Sequence, residues 1–142
     1  MKRILDDEFL KENIDEGMRY AIAVLNEKGY ETNYCCEGHY NEKYECYVGA
    51  YISFKESIPK ELFPKLPSFP WKDDDKAMSR YKTPITVIDG RRGKYIKDMT
   101  ESDCFYWEFT KYKRTSRAAK DLEHDRFIVE LNEWVDMLPV RE

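Results

Sequence analysis

Apolar residues recur along the first quarter of the chain at helical spacing. Leu10, Ile14, Met18, Ala21 and Leu25 make one stripe with Ile22 on its flank, which predicts an amphipathic helix from about Asp7 to Lys28. Asp6 or Asp7 can cap its start, and Gly29 is placed to end it in a left-handed conformation. Gly17 costs roughly 1 kcal/mol inside a helix relative to alanine, so it marks a close approach to a neighbour. The period then changes. Residues 31–36 read as a strand, and Cys46, Val48, Ala50, Ile52 and Phe54 alternate with Tyr47, Gly49, Tyr51 and Ser53 as a second one. This second strand is expected to be covered on one side and aromatic on the other. Residues 37–44 between them predict a polar hairpin loop that turns at Gly38.

Pro64, Pro67 and Pro70 fall at the polyproline II period within "SIPKELFPKLPSFPW", residues 57–71. Because Phe63, Leu66, Phe69 and Trp71 need burial, an ordered loop wrapping the domain is preferred to a ligand for a partner, and Asp73–Asp75 form its solvated end. Strand patterns resume at Thr83–Ile88, Lys94–Ile96 and Cys104–Thr110, with a hairpin turn at Asp89–Gly93. A closing helix over about Ser116–Met137 carries Phe127, Ile128, Leu131, Trp134, Val135 and Leu138 on one broad face and stops near Pro139. The order describes one α+β domain over residues 1–142, a mostly antiparallel sheet with the N- and C-terminal helices on one face.

Composition narrows the class. With 42% hydrophobic and 15% aromatic residues, the chain can bury a core and does not read as disordered. No apolar run is long enough to cross a bilayer, and MKRILDDEFL lacks the continuous apolar stretch of a signal peptide. The expectation is a cytoplasmic protein with reduced thiols, its four cysteines too sparse for a disulfide scaffold. Charge is uneven. Residues 1–75 carry 10 basic and 16 acidic groups, residues 76–120 carry 12 and 5, and residues 121–142 carry 2 and 7. The middle block is thus a candidate surface for anionic partners.

The densest chemistry is "NYCCEGHY", residues 33–40. Cys36-x-x-His39 has the spacing by which a tight turn presents two ligands to one zinc, and Cys46, across the hairpin, is a candidate third. Cys35 would point to the opposite strand face from Cys36. A fourth ligand would come from Cys104, His124, a carboxylate or water. Two other readings stay open. His39 could activate a neighbouring thiolate, or Cys36 and Cys46 could be small core residues beside a turn.

Leu25-Asn26, Tyr30, Thr32 and Cys35-Cys36-Glu37-Gly38-His39 resemble a pattern, LNxxGYxTxxCCxGH, of small uncharacterised bacterial and phage proteins. The same stretch is similar, more distantly, to the start of the wybutosine-synthesising Tyw3 family, where a helix leads into a strand ending T-T-S-S-C-S-G-R. Thr32, Cys36 and Gly38 match that motif, while Cys35, Glu37 and His39 replace Ser, Ser and Arg. The resemblance covers roughly the first 55 residues and implies a fold more than an activity. It carries a nucleotide-modifying, S-adenosylmethionine-dependent transferase as the alternative to a binding module, beside a thiol-dependent enzyme using Cys36 and His39.

In the basic middle, Arg80, Lys82, Arg91, Arg92, Lys94, Lys97, Lys111, Lys113, Arg114 and Arg117 interleave with Tyr81, Tyr95, Tyr106, Trp107 and Tyr112. Cations for phosphates and flat rings for unstacked bases are what RNA or single-stranded nucleic acid requires. The expected function is therefore a small binding module contacting nucleic acid or an acidic partner. Arg91, Arg92, Lys94, Tyr106, Trp107, Lys113 and Arg114 are its candidate contacts, and the aromatic face could equally serve a homodimer.

Overall fold

The computed structural model describes residues 4–64, 78–89 and 93–141, with side chains at 4–64 and 103–141. Helices α1 (Asp7–Asn13) and α2 (Arg19–Glu27) lead into strands β1 (Thr32–Cys36), β2 (Tyr40–Asn41), β3 (Cys46–Tyr47) and β4 (Ala50–Phe54). A long hairpin, β5 (Met78–Asp89) and β6 (Gly93–Trp107), precedes helix α3 (Arg117–Met137). The main sheet has strand order β1-β4-β6-β5 with antiparallel neighbours, and β2 and β3 form a separate two-stranded ribbon. The predicted α+β class holds.

The helices cover one sheet face. Ala50, Ile52 and Phe54 of β4 and Phe105 and Trp107 of β6 meet Met18, Ile22 and Leu25 from the N-terminal side and Phe127, Leu131 and Val135 from α3 in one buried cluster. Alternation along each strand fixes which residues face away from it. Cys35 sits opposite Ile52 and packs on the core, whereas Cys36, Tyr51 and Tyr106 align across β1, β4 and β6 on the opposite face.

The predicted first helix is two helices. Ile14 (φ −121°, ψ 133°) and Asp15 (φ −53°, ψ 140°) leave the helical region, and a 3-10 turn at Glu16–Met18 restarts it. Arg19 supports the break by donating from Nε to Ile14 O and from its guanidinium to Lys11 O, carbonyls that a continuous helix would have paired. Both flanking caps follow the sequence reading. Asp6 accepts from Phe9 N–H, and Gly29 (φ +97°) closes α2 with the paired Gly29→Asn26 and Tyr30→Leu25 backbone bonds of a Schellman motif.

Three further expectations change. The strand predicted across residues 46–54 splits at Val48–Gly49, because Val48 N–H bonds back to His39 O and the Tyr106 ring lies across Gly49. The loop over 37–44 contains the short strand β2. The segments 94–96 and 104–110 are joined in one strand ending at Trp107, since pairing with β5 carries the polar residues 97–103 through the gap. Beyond Cys104 toward the hairpin tip, β6 pairs only with β5 among the described strands, giving a two-stranded ribbon. In the described part of the Pro-rich loop, up to Pro64, Ile58 and Pro64 are buried and Trp134 Nε1–H donates to Leu62 O. Pro67, Phe69, Pro70 and Trp71 lie outside the described residues.

Candidate metal centre

β1 ends at Cys36, and the chain turns out of the sheet through Glu37 and Gly38 before entering β2. The turn needs glycine. Gly38 has φ +80°, and a Cβ there would stand 2.5 Å from Val48 O and 2.9 Å from the buried Phe109 ring. It presents Cys36 and His39 together, and the break between α1 and α2 brings a third group to meet them. A carboxylate oxygen of Asp15, Cys36 Sγ and a ring nitrogen of His39 all lie within 4.8 Å of one another. Around a tetrahedral zinc, bonds of roughly 2.0–2.3 Å set neighbouring ligand atoms about 3.3–3.8 Å apart. Small side-chain rotations would close the three donors on an ion.

The surroundings are arranged for anionic ligands. Glu37 N–H donates to Asp15 Oδ2 at 3.1 Å, and Gly38 N–H donates to Cys36 Sγ at 3.4 Å. His39 Nε2 lies 3.1 Å from the same Asp15 oxygen. Behind the turn, His124 Nε2–H donates to Glu37 O at 2.6 Å. That carbonyl and the Gly38 N–H are two ends of one peptide group, so His124 on α3 orients the peptide whose other end bonds the sulfur. The His124 ring is itself held by stacking on Tyr47 at 4.4 Å, and Tyr47 donates its hydroxyl to Asp121 at 2.6 Å. Gly17 completes the contact from the helical side: a Cβ there would be 2.5 Å from Glu37 Oε2, so the glycine admits the Glu37 carboxylate.

Charge at the centre favours a cation over a free thiolate. Burial raises the Cys36 thiol pKa, opposed by the Gly38 N–H and reinforced by Asp15 and Glu37. Burial, with smaller contributions from Asp15, Cys36 and Glu37, pushes Cys35 up to about 12. A bound cation would reverse the penalty at Cys36, because a coordinating thiol gives up its proton to the metal. His39, with 62% of its side chain exposed, leaves one side of the group open to solvent.

The expected residues are placed unevenly. Cys36 and His39 come together at the turn. Cys46 is buried on β3 opposite Asn41 and is not among the converging donors; Asp15, which the sequence reading missed, takes the third place. Cys104 donates to Phe105 O and His124 supports the loop. Of the proposed partner contacts, Trp107 is 1% exposed and stacks with Phe105 and Phe127, so it belongs to the core and cannot form a surface. Tyr106 faces solvent on the opposite sheet face, and Lys113 and Arg114 are exposed in the turn before α3. Arg117 is committed to Asp121 and to the Tyr40 ring. Arg91 and Arg92 lie outside the described residues, and only the backbone of Lys94, paired with Ile88, is described.

Protein-family models, curated proteins and solved structures return no match to this chain.

Proposed function

We propose that the chain is a small binding module whose β1–β2 corner holds a zinc ion through Asp15, Cys36 and His39, and whose basic middle contacts nucleic acid or an acidic partner. The convergence of three chemically suitable donors from two separate stretches of chain carries this reading. One thiolate, one imidazole and one carboxylate suit zinc, and three protein ligands leave a fourth position for water or a donor from a partner. The ion would supply a fixed positive charge there and one Lewis-acid position. Support for a thiol-dependent or nucleotide-modifying enzyme is weaker: the hydrogen-bond partner of His39 Nε2 is Asp15, and both thiols are raised, the opposite of an activated nucleophile.

Metal content, measured by mass spectrometry on protein purified without a metal-affinity column, tests the zinc centre. Stoichiometric zinc is expected in wild type and in Cys46→Ser, with loss in Cys36→Ser and depletion in Asp15→Asn. Failure of metal-free wild type to take up added zinc would refute the centre. For the partner, the excess of basic residues over 76–120 predicts salt-sensitive binding to an RNA oligonucleotide or an acidic polypeptide, abolished by Arg91→Glu/Arg92→Glu. Sedimentation would reveal a homodimer instead. No described helix is long and apolar enough to cross a membrane.

A further inference from the structure

On the sheet face turned away from the helices, Cys36, Tyr51 and Tyr106 occupy one row across three adjacent strands, so Tyr106 stands roughly 10 Å from Cys36 at ordinary strand spacing. Beside that row lies a cleft of about 490 Å³ bordered by Tyr44, Val48, Gly49, Tyr106 and Lys111. Tyr44 is 62% exposed and Tyr106 42% exposed, so two large rings stand at one opening with a cation at its edge. One side of the Tyr106 ring rests on backbone. Its hydroxyl end lies across Gly49, where any side chain would collide with it. A flat ring supported from one side leaves its other side for a stacking partner and loses less freedom on binding than a fully solvated one. On the Tyr106 side charge points the same way: residues 106–114 contain Lys111, Lys113 and Arg114 against Glu108 alone, all four exposed, whereas the Tyr44 turn carries exposed Glu42 and Glu45 against Lys43.

We propose that the cleft between Tyr44 and Tyr106 receives an unpaired base of a single-stranded nucleic acid, stacked on Tyr106, with flanking phosphates on Lys111, Lys113 and Arg114. The inference rests on the reading of the basic middle as a contact for anionic partners and is independent of the metal centre. A cleft volume within the roughly 300–1,000 Å³ of small-ligand sites accommodates a nucleotide. A duplex keeps its bases stacked inside, and an acidic peptide offers a ring only where it carries an aromatic residue, whereas every nucleotide of a single strand joins a ring to a phosphate.

Fluorescence anisotropy with labelled oligo(dT), a duplex of equal length and heparin tests this directly. Tyr106→Ala is expected to weaken oligo(dT) binding about 5- to 100-fold while leaving heparin unchanged, with Tyr106→Phe close to wild type. Tyr44→Ala, at an exposed turn, gives a second readout should Tyr106→Ala fail to fold, and is expected to weaken oligo(dT) alone. Lys113→Ala/Arg114→Ala should flatten the log–log salt dependence by about 1.4, two single-strand phosphate contacts at about 0.7 each. Equal affinity for oligo(dT) and duplex, insensitive to Tyr106 and Tyr44 but weakened in the Lys113/Arg114 variant, would overturn the base cleft and leave an anionic partner standing. No binding to any of the three probes would overturn both. A dimer in sedimentation that Tyr106→Ala converts to monomer would assign the face to a second copy of this chain and overturn the inference.

Discussion

Replacing Gly38 by alanine tests whether the turn and the metal centre are one structure. Two costs are visible. A left-handed φ of +80° penalises an L-residue by about 1–2 kcal/mol. The new methyl would also sit 2.5 Å from Val48 O and 2.9 Å from the Phe109 ring, and Phe109 is buried against Phe127 and His124, so it cannot simply swing away. Overpacking of this kind costs about 1–3 kcal/mol. The sum is about 3 kcal/mol, a large part of the roughly 5–15 kcal/mol that holds a domain together, yet short of unfolding it. Relief requires Gly38 to move off Val48, which draws its N–H away from Cys36 Sγ and shifts His39. Urea unfolding in EDTA should therefore show a stability lower by about 3 kcal/mol. Repeating it with zinc should show a smaller metal-induced gain than in wild type, because that gain scales with the logarithm of affinity. A variant within about 0.5 kcal/mol of wild type in EDTA would refute the turn argument. A lowered baseline with an unchanged zinc increment would refute the coupling of turn to site.

Three other perturbations probe the frame around the centre. The Lys28 ammonium donates to the carbonyls of Val135, Asp136 and Leu138 at 2.7–2.9 Å, closing the C-terminus of α3. Lys28→Met keeps the stem and removes the charge, and about 2 kcal/mol should be lost in urea unfolding because water re-solvates part of what the ammonium satisfied; no change would show that water replaces it fully. His124→Phe preserves a stacking ring on Tyr47 but leaves Glu37 O without its donor, and should cost about 1–3 kcal/mol by calorimetry, whereas a gain in stability would count against the peptide-orienting role. The Tyr47 hydroxyl, and then Arg117, hold the Asp121 carboxyl below its ordinary value of 3.8. A carboxyl lowered on folding contributes stability that is fully present above its unfolded value and is lost as pH falls through the folded one, so the effect is confined to the acid side of about pH 4. By NMR titration, Tyr47→Phe should move the Asp121 midpoint upward; an unchanged midpoint would show that the hydroxyl does not set it.

Sequence pattern located most of the frame where local chemistry decides it. Ser116 caps α3 by accepting from Ala119 N–H, Gly29 ends α2, and of the apolar face Phe127, Leu131, Trp134, Val135 and Leu138 are buried as their spacing implied, with Ile128 half-buried at its edge. It failed where a distant partner overrides a local preference. Leu10, Ile14 and Met18 keep helical spacing straight through the break, so periodicity carried no sign of it. Residues 97–103 look like a loop because their composition is polar, yet twelve pairings with β5 along Gly93–Phe105 hold that stretch extended. Trp107 was misread for a similar reason. The alternation of Phe105, Tyr106 and Trp107 was visible, but which face carries the helices is a property of the assembled sheet.

The candidate centre divides along the same line. Cys36-x-x-His39 is a local geometry, and one tight turn is enough to bring its two donors together, so the spacing could be read directly. The third donor is not local. Cys46 was favoured because a simple hairpin would place it across from Cys36, but the ribbon of β2 and β3 pairs it with Asn41 and buries it. Asp15 reaches the site only because the helix opens after Asn13, and it repays part of that opening by accepting from Glu37 N–H and pairing with His39. One signal did point there. A glycine inside a helical pattern is costly, and Gly17 stands in the 3-10 turn at the break, where a Cβ would meet the Glu37 carboxylate at 2.5 Å and Ile128 at 3.2 Å. Two residues before that glycine stands the carboxylate that faces the turn. An unexplained glycine in an otherwise good helix is thus a place to look for a ligand from outside the local motif, and the depletion of zinc expected in Asp15→Asn depends on that being so here.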